Sequence, residues 1–163
     1  MQKITPFLWF DTQAEEAVKF YASVFPNSKI LKTARYGEAG PGPKGSVMTV
    51  EFELAGQRMI ALNGGPHFKF TEAISFFISS ETQQEVDTFW DRLSEGGEKS
   101  QCGWLKDKYG LSWQVVPTAL TKLMGDPDPA KSKAVLDAML KMKKIVIAEL
   151  QAAYDLAASA PRL

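Results

Sequence analysis

Three side chains in this sequence carry catalytic potential of their own: His67, the only histidine, Cys102, the only cysteine, and Glu51, which alternates with apolar residues. His67 lies in Asn63-Gly64-Gly65-Pro66-His67-Phe68. It could serve as a general base or a metal ligand, although a lone histidine in a Gly/Pro loop is more often a surface residue. A single imidazole cannot build a histidine-rich metal site. Cys102 could be a nucleophile, but no histidine stands near it in sequence, and a structural role is the commoner one for such a thiol. Glu51 and Glu53 alternate with Val50, Phe52 and Leu54, the pattern of a strand with one buried and one solvated face. If the polar face lines a cup-shaped sheet, Glu51 becomes a candidate general base.

Gly40-Pro41-Gly42-Pro43-Lys44-Gly45 formally satisfies the GxGxxG pattern of nucleotide-binding loops. That pattern works through backbone N–H groups and a helix N-terminus facing a pyrophosphate. Here two prolines remove donors, and the segment leads into the strand-like Ser46-Val47-Met48-Thr49-Val50. The reading is a loop, without a Rossmann-type cofactor site.

The elements that must position these groups repeat faintly at a spacing of about 69 residues. Phe7 to Tyr21 slides onto Phe76 to Trp90, matching Glu16 with Glu85, Ala17 with Val86, Phe20 with Phe89 and Tyr21 with Trp90. Each copy predicts a strand, a polar turn and an amphipathic helix. In the first copy, a strand over Ile4 to Phe10 ends at Asp11-Thr12, an N-cap pair. A helix over Ala14 to Val24 follows, then strands over Ile30 to Tyr36, Val47 to Leu54 and Arg58 to Leu62, the last two joined by a turn at Ala55-Gly56-Gln57. In the second, a strand beginning near Ile74 precedes a helix to Ser94 stopped by Gly96-Gly97. Strands over Ser100 to Leu105 and Leu111 to Val116 complete it, joined by Asp107-Lys108-Tyr109-Gly110. Each half reads β-α-β-β-β, the second strand of the second half being the least clearly marked. Duplicated units sharing one core suggest a pocket between matching halves.

Beyond Pro117 the pattern is helical. A short helix near Ala119 to Met124 leads to Asp126-Pro127-Asp128-Pro129, where prolines suit a bend and a helix start. From Ala130 to Leu156, Val135, Met139, Met142, Val146, Leu150 and Ala153 form an apolar seam flanked by Ile145 and Ile147. That seam needs a partner, either the domain itself or a second subunit.

The chain has 163 residues, 45% of them hydrophobic, enough for one domain or two half-domains. Nineteen basic residues balance nineteen acidic ones, so no global field favours nucleic acid or an anionic membrane surface. One cysteine excludes a disulfide framework and paired-thiolate zinc sites. No stretch approaches the roughly 20 apolar residues of a membrane span, and Met1 to Pro6 lack a signal-like apolar run. The expectation is a cytoplasmic protein that acts on a small molecule or another protein.

Gly103-Trp104-Leu105-Lys106-Asp107 and Tyr109-Gly110-Leu111-Ser112-Trp113-Gln114-Val115-Val116-Pro117, together with Met139-Leu140-Lys141-Met142-Lys143-Lys144-Ile145 in the tail, resemble a known group. They are similar to the PhnB-like proteins, a 3-demethylubiquinone 3-methyltransferase-like family. That family lies within the vicinal oxygen chelate superfamily of glyoxalase I, extradiol dioxygenases and bleomycin-resistance proteins. On these motifs the resemblance spans nearly the whole chain. It implies an α+β fold of paired βαβββ modules, with helices on the convex side and a ligand cavity on the concave one. The modules would cover about 3–64 and 73–117 of a duplicated domain over 1–117, followed by a helical tail over 118–163.

The resemblance places Phe7, Trp9, Phe76, Ile78, Trp113 and Val115 toward the helices. Leu8, Phe10, Phe77 and Trp104 would line the cavity with Asn63, Ser75, Ser79, Ser112 and Gln114. Metal-dependent relatives set His and Glu ligands on the first and last strands of the modules. In this chain Pro6, Ser75 and Gln114 occupy three of those positions, and the fourth falls among Ile60, Ala61, Leu62 and Asn63. Neutral Ser, Asn and Gln oxygens are weak ligands for a catalytic transition metal, so no metal and no other cofactor is expected. The methyltransferase label is not carried over as an activity, because neither a donor-binding glycine loop nor a phenol-activating base pattern is present.

The favoured expectation is a metal-free homodimer binding a small organic molecule between aromatic surfaces and polar groups, without nucleic-acid or membrane partners. One alternative is a metal-independent enzyme using Glu51 or His67 as its base. Another is a protein-interaction module working through the C-terminal helix.

Overall fold

The structure is a computed structural model that describes residues 2–161. The chain divides into two compact units, one up to Phe70 and one from Thr71 onward.

The first unit runs β1 (Phe7–Phe10), α1 (Ala14–Val24), β2 (Lys29–Arg35), β3 (Val47–Leu54) and β4 (Gln57–Asn63). Its sheet has the order β1-β4-β3-β2, with β1 parallel to β4 and the other pairs antiparallel. The β3–β4 hairpin closes through Ala55 and Gly56, both at positive φ (48° and 84°). Two such residues are what a twist-compatible two-residue turn requires. Ala17, Val18 and Tyr21 of α1 are fully buried, one helical face packed on the sheet.

The second unit repeats the plan with β5 (Ser75–Ser80), α2 (Gln83–Ser94), β6 (Glu98–Lys99), β7 (Trp104–Lys106) and β8 (Ser112–Pro117). The order is β5-β8-β7-β6. Thr82 caps α2, its hydroxyl accepting from Glu85 N at 3.1 Å, while the Glu85 carboxylate accepts from Glu81 N at 2.7 Å. The strand expected over Ser100 to Leu105 is two short strands, separated by a turn with Cys102 and Gly103 at φ 57° and 84°.

The side-chain faces of β1 are the reverse of those expected. Leu8 and Phe10 are buried (6% and 3% exposed), whereas Phe7 is 55% exposed. Leu8 and Phe10 sit in register with Ala61 and Asn63, and the Leu8 row continues through Ala61 to Val50, both fully buried. This is the helix-packed face, so Leu8 and Phe10 are core residues and not cavity lining. The cause is one residue: three residues separate β1 from α1, but two separate β5 from α2. The helices keep the 69-residue offset, with Tyr21 and Trp90 both buried, while the strands match at 70, Leu8 to Ile78 and Phe10 to Ser80. A one-residue shift in a strand turns every side chain to the opposite face. In β5 Ile78 is buried and Phe77 is 56% exposed.

The tail belongs to the second unit and comprises α3 (Thr118–Met124), α4 (Pro129–Met139) and α5 (Ile147–Ser159). The long helix expected from Ala130 is broken between Met139 and Ile147. There the backbone bonds to the sheet instead: Cys102 N donates to Met142 O and Gly103 N to Lys143 O, each at 2.8 Å. Gln83 clamps the same stretch, donating to Ile145 O at 3.1 Å and accepting from Ile147 N at 2.8 Å. The apolar seam finds its partner within its own unit, where Val135, Met142, Ile145 and Leu150 pack with Val116 and Leu120. Among the described residues no helix is long and apolar enough to cross a membrane.

Candidate functional site

The open face of the second sheet is built from cross-strand rows. Phe77 on β5 pairs in register with Gln114 on β8, which pairs with Trp104 on β7. An amide thus stands between two aromatic rings. The adjoining row is Ser75, Ser112 and Lys106, and Ser79 lies opposite Val116. The Gln114 Nε2 donates to Ser75 Oγ at 2.9 Å, which fixes the amide while its carbonyl oxygen and second N–H stay available to a ligand.

Above this face lies a concavity of about 480 Å³, within the range of small-molecule sites. Phe77, Cys102, Trp104, Gln114 and Val116 contribute from the sheet and its turn. Leu120, Thr121, Met124, Gly125 and Met139 contribute from the tail. Trp104 also borders a smaller hollow of about 140 Å³ that contains Ser112. Ser112 is 1% exposed, and its hydroxyl is buried without a hydrogen-bond partner. Ser79 is exposed on the same face but lines neither hollow.

The quoted Gly-Trp-Leu-Lys-Asp run serves this site indirectly. Asp107 is 3% exposed, and its Oδ1 accepts from Tyr109 N at 2.9 Å and Leu111 N at 3.1 Å. Its Oδ2 accepts from Trp113 Nε1 at 2.9 Å. A buried carboxylate with three donors holds the turn between β7 and β8, and so holds Trp104 opposite Gln114.

The first unit has a hollow of about 610 Å³ bordered by Arg35, Tyr36, Asn63 and the Gly/Pro loop. Its polar groups are largely committed to the protein. Asn63 accepts from Ala14 N at 2.8 Å and donates to Val47 O at 3.1 Å. It thereby supplies the cap that the N-cap residue Gln13 does not; Asp11 and Thr12 do not cap α1. The Tyr36 hydroxyl donates to Asn63 O at 2.5 Å, and Arg35 donates to Gly45 O at 3.0 Å. The glycines of the loop rejected as a nucleotide site have a packing reason. A Cβ on Gly42 would meet the Tyr36 ring at 2.2 Å, and one on Gly40 would meet it at 3.0 Å.

The two candidate bases lie outside both larger hollows. Glu51 is ion-paired with Arg58 at 2.7 Å, and His67 is exposed. Nor do the positions implied for metal ligands fit a metal. Pro6 offers no side-chain donor, Ser75 and Gln114 bond each other, and the Asn63 amide caps a helix. Among the described residues no three His, Cys, Asp or Glu side chains come together.

The sequence profile described as 3-demethylubiquinone-9 3-methyltransferase matches residues 2–116. The chain belongs to this PhnB-like family. Among solved structures it is similar to a putative 3-demethylubiquinone-9 3-methyltransferase, a PhnB protein from Bacillus cereus, at 40% identity and TM-score 0.67, covering 72% of this chain and 100% of that one. Protein PA1353 from Pseudomonas aeruginosa is similar at 19% identity and TM-score 0.60, covering 72% of this chain and 98% of that one. A comparison with proteins of curated function finds no match. Two βαβββ modules make this the glyoxalase/bleomycin-resistance fold, with a C-terminal helical addition. The PhnB-like match ends at residue 116, so the likeness read from Met139 to Ile145 is not part of it. The tail's half of the concavity was missed from sequence, because no local signal connects Met139 with Phe77.

Proposed function

We propose that this PhnB-like protein is a cytoplasmic homodimer that binds a small organic molecule on the open face of its second sheet, without a metal ion. The observation that carries the reading is the Phe77, Gln114 and Trp104 row at a concavity of about 480 Å³. Two aromatic faces supply contact area, and the amide supplies orientation. The exposed Phe7 and Ile4 side chains support assembly of two copies.

The family description names a methyltransferase, but binding is proposed here and methyl transfer is not. Among the described residues, none that line the concavity is a carboxylate, imidazole or amine able to take a phenol proton.

The test is thermal unfolding of chelator-treated protein against divalent metals and a panel of aromatic compounds. A ligand at one hundred times its Kd stabilises the native state by about 2.7 kcal/mol. An organic compound is expected to raise the midpoint in wild type but not in Phe77→Ala, and no metal is expected to do so. A midpoint raised by one stoichiometric metal would overturn the reading.

A further inference from the structure

The tail that builds half of this concavity lies outside the family match, which ends at residue 116. The Bacillus cereus protein is matched over its full length by 72% of this chain. The matched portion supplies the sheet face, and residues beyond the match supply the opposing wall. That wall is anchored by the Cys102 and Gly103 N–H groups, by Gln83, and by the buried Ile145 and Leu150.

The chemistry of the lining is uniform in charge. Among the described residues, none of the ten that border the concavity is Asp, Glu, Lys, Arg or His, and the tail contributes Leu120, Met124 and Met139 as apolar contacts. An anion entering it would lose hydration without gaining a counter-charge. A cation would gain ring attraction from Phe77 or Trp104, but it would give up hydration with no carboxylate among the lining residues to pair with it. Methionine side chains adapt to flat apolar shapes. From these observations we infer that the tail makes the site selective for an uncharged, planar, largely apolar molecule with one polar atom directed at Gln114. This rests on the open-face binding reading.

Three ligands of one shape and different charge test it: 2-naphthamide, 2-naphthoate and 2-naphthylmethylammonium, titrated calorimetrically into the full-length protein. The amide is expected to bind at least tenfold more tightly than either ion. Thr121 is exposed on α3 at the rim; Thr121→Lys is expected to strengthen 2-naphthoate at least tenfold. Met139→Trp fills the wall and is expected to weaken 2-naphthamide at least tenfold, with the unfolding midpoint reporting that the variant is folded. If either ion binds as well as the amide, or if Thr121→Lys leaves the ratio unchanged while Phe77→Ala abolishes binding, the tail does not select the ligand and the open-face reading stands. If none of the three compounds binds, both fall.

Discussion

The Gln114 side chain donates to the Ser75 hydroxyl at 2.9 Å, joining β8 to β5 across the open face of the second sheet. Both residues occupy positions that metal-dependent relatives were expected to fill with ligands. Here they form a neutral pair, of which Gln114 lines the concavity. Replacing Gln114 by Leu removes one partly buried hydrogen bond, at a stability cost of about 1 kcal/mol. The same change is expected to weaken a ligand's polar contact by about tenfold, the equivalent of about 1.4 kcal/mol. Calorimetric titration of both proteins with 2-naphthamide and with naphthalene checks this. Only the amide should distinguish them, and equal losses for the two compounds would show that Gln114 does not orient the ligand.

The reversed faces of β1 lead to a pair of opposite expectations for two phenylalanines. Phe10 is 3% exposed and meets Phe70 edge-on at 5.2 Å between ring centres, whereas Phe7 is 55% exposed. Phe10→Ala should destabilise the protein by about 3–5 kcal/mol, the usual range for a core phenylalanine. Phe7→Ser should cost less than about 1 kcal/mol. Urea unfolding of both variants decides it, and the reverse ranking would restore the faces that the family resemblance implies.

What could be read from the sequence was local. Apolar spacing placed α1 at Ala14–Val24 and β3 at Val47–Leu54, because period alone marks a buried stripe. The face of β1 was not legible. The repeat was aligned on its helices, and the extra residue between Phe10 and Ala14 changes the strand's phase without changing its composition. The tail's apolar residues were recognised, but not the break after Met139. That break is held by Cys102, Gly103 and Gln83, all distant in sequence. Ser75, Phe77 and Gln114 are grouped by the family resemblance, whereas the tail residues opposite them carry no signal that groups them.

Asp107 shows how a charged residue in a recognisable motif acts through structure. Its carboxylate accepts from Tyr109 N, Leu111 N and Trp113 Nε1 while 3% exposed. Asp107→Ala leaves three donors without their acceptor, and hydrogen bonds to charged groups contribute about 1.5–3 kcal/mol each. Since such losses are not additive, a total of about 3–5 kcal/mol is expected. Asp107→Asn retains one carbonyl oxygen and should lose less. Denaturant unfolding of the two variants measures the difference, and equal losses would mean that shape, not acceptor capacity, is what the turn requires.

The tail also carries a pH signature. The Tyr154 hydroxyl on α5 donates to Asp126 Oδ2 at 2.6 Å, in the connection between α3 and α4. That bond is the main cause holding the Asp126 carboxyl below its ordinary 3.8 and raising the Tyr154 phenol above its ordinary 10.0. On α2, hydrogen bonds from Gln83 and then Lys144 hold Asp87 low as well. The two carboxylates contribute stability that is complete above about 3.8 and is lost as pH falls through their lower folded-state values. Tyr154 contributes stability that is complete below 10.0 and is lost as pH rises through its higher folded-state value. The Tyr154→Phe variant should therefore have a lower unfolding midpoint than wild type at neutral pH. The gap should narrow as pH falls below 3.8 toward the lowered folded-state value of Asp126, and again as pH rises above 10.0 toward the raised value of the phenol. Midpoints of wild type and Tyr154→Phe across that range test it; a gap constant with pH would assign the loss to packing of the ring, and the hydrogen bond would have no titratable part in fastening the tail.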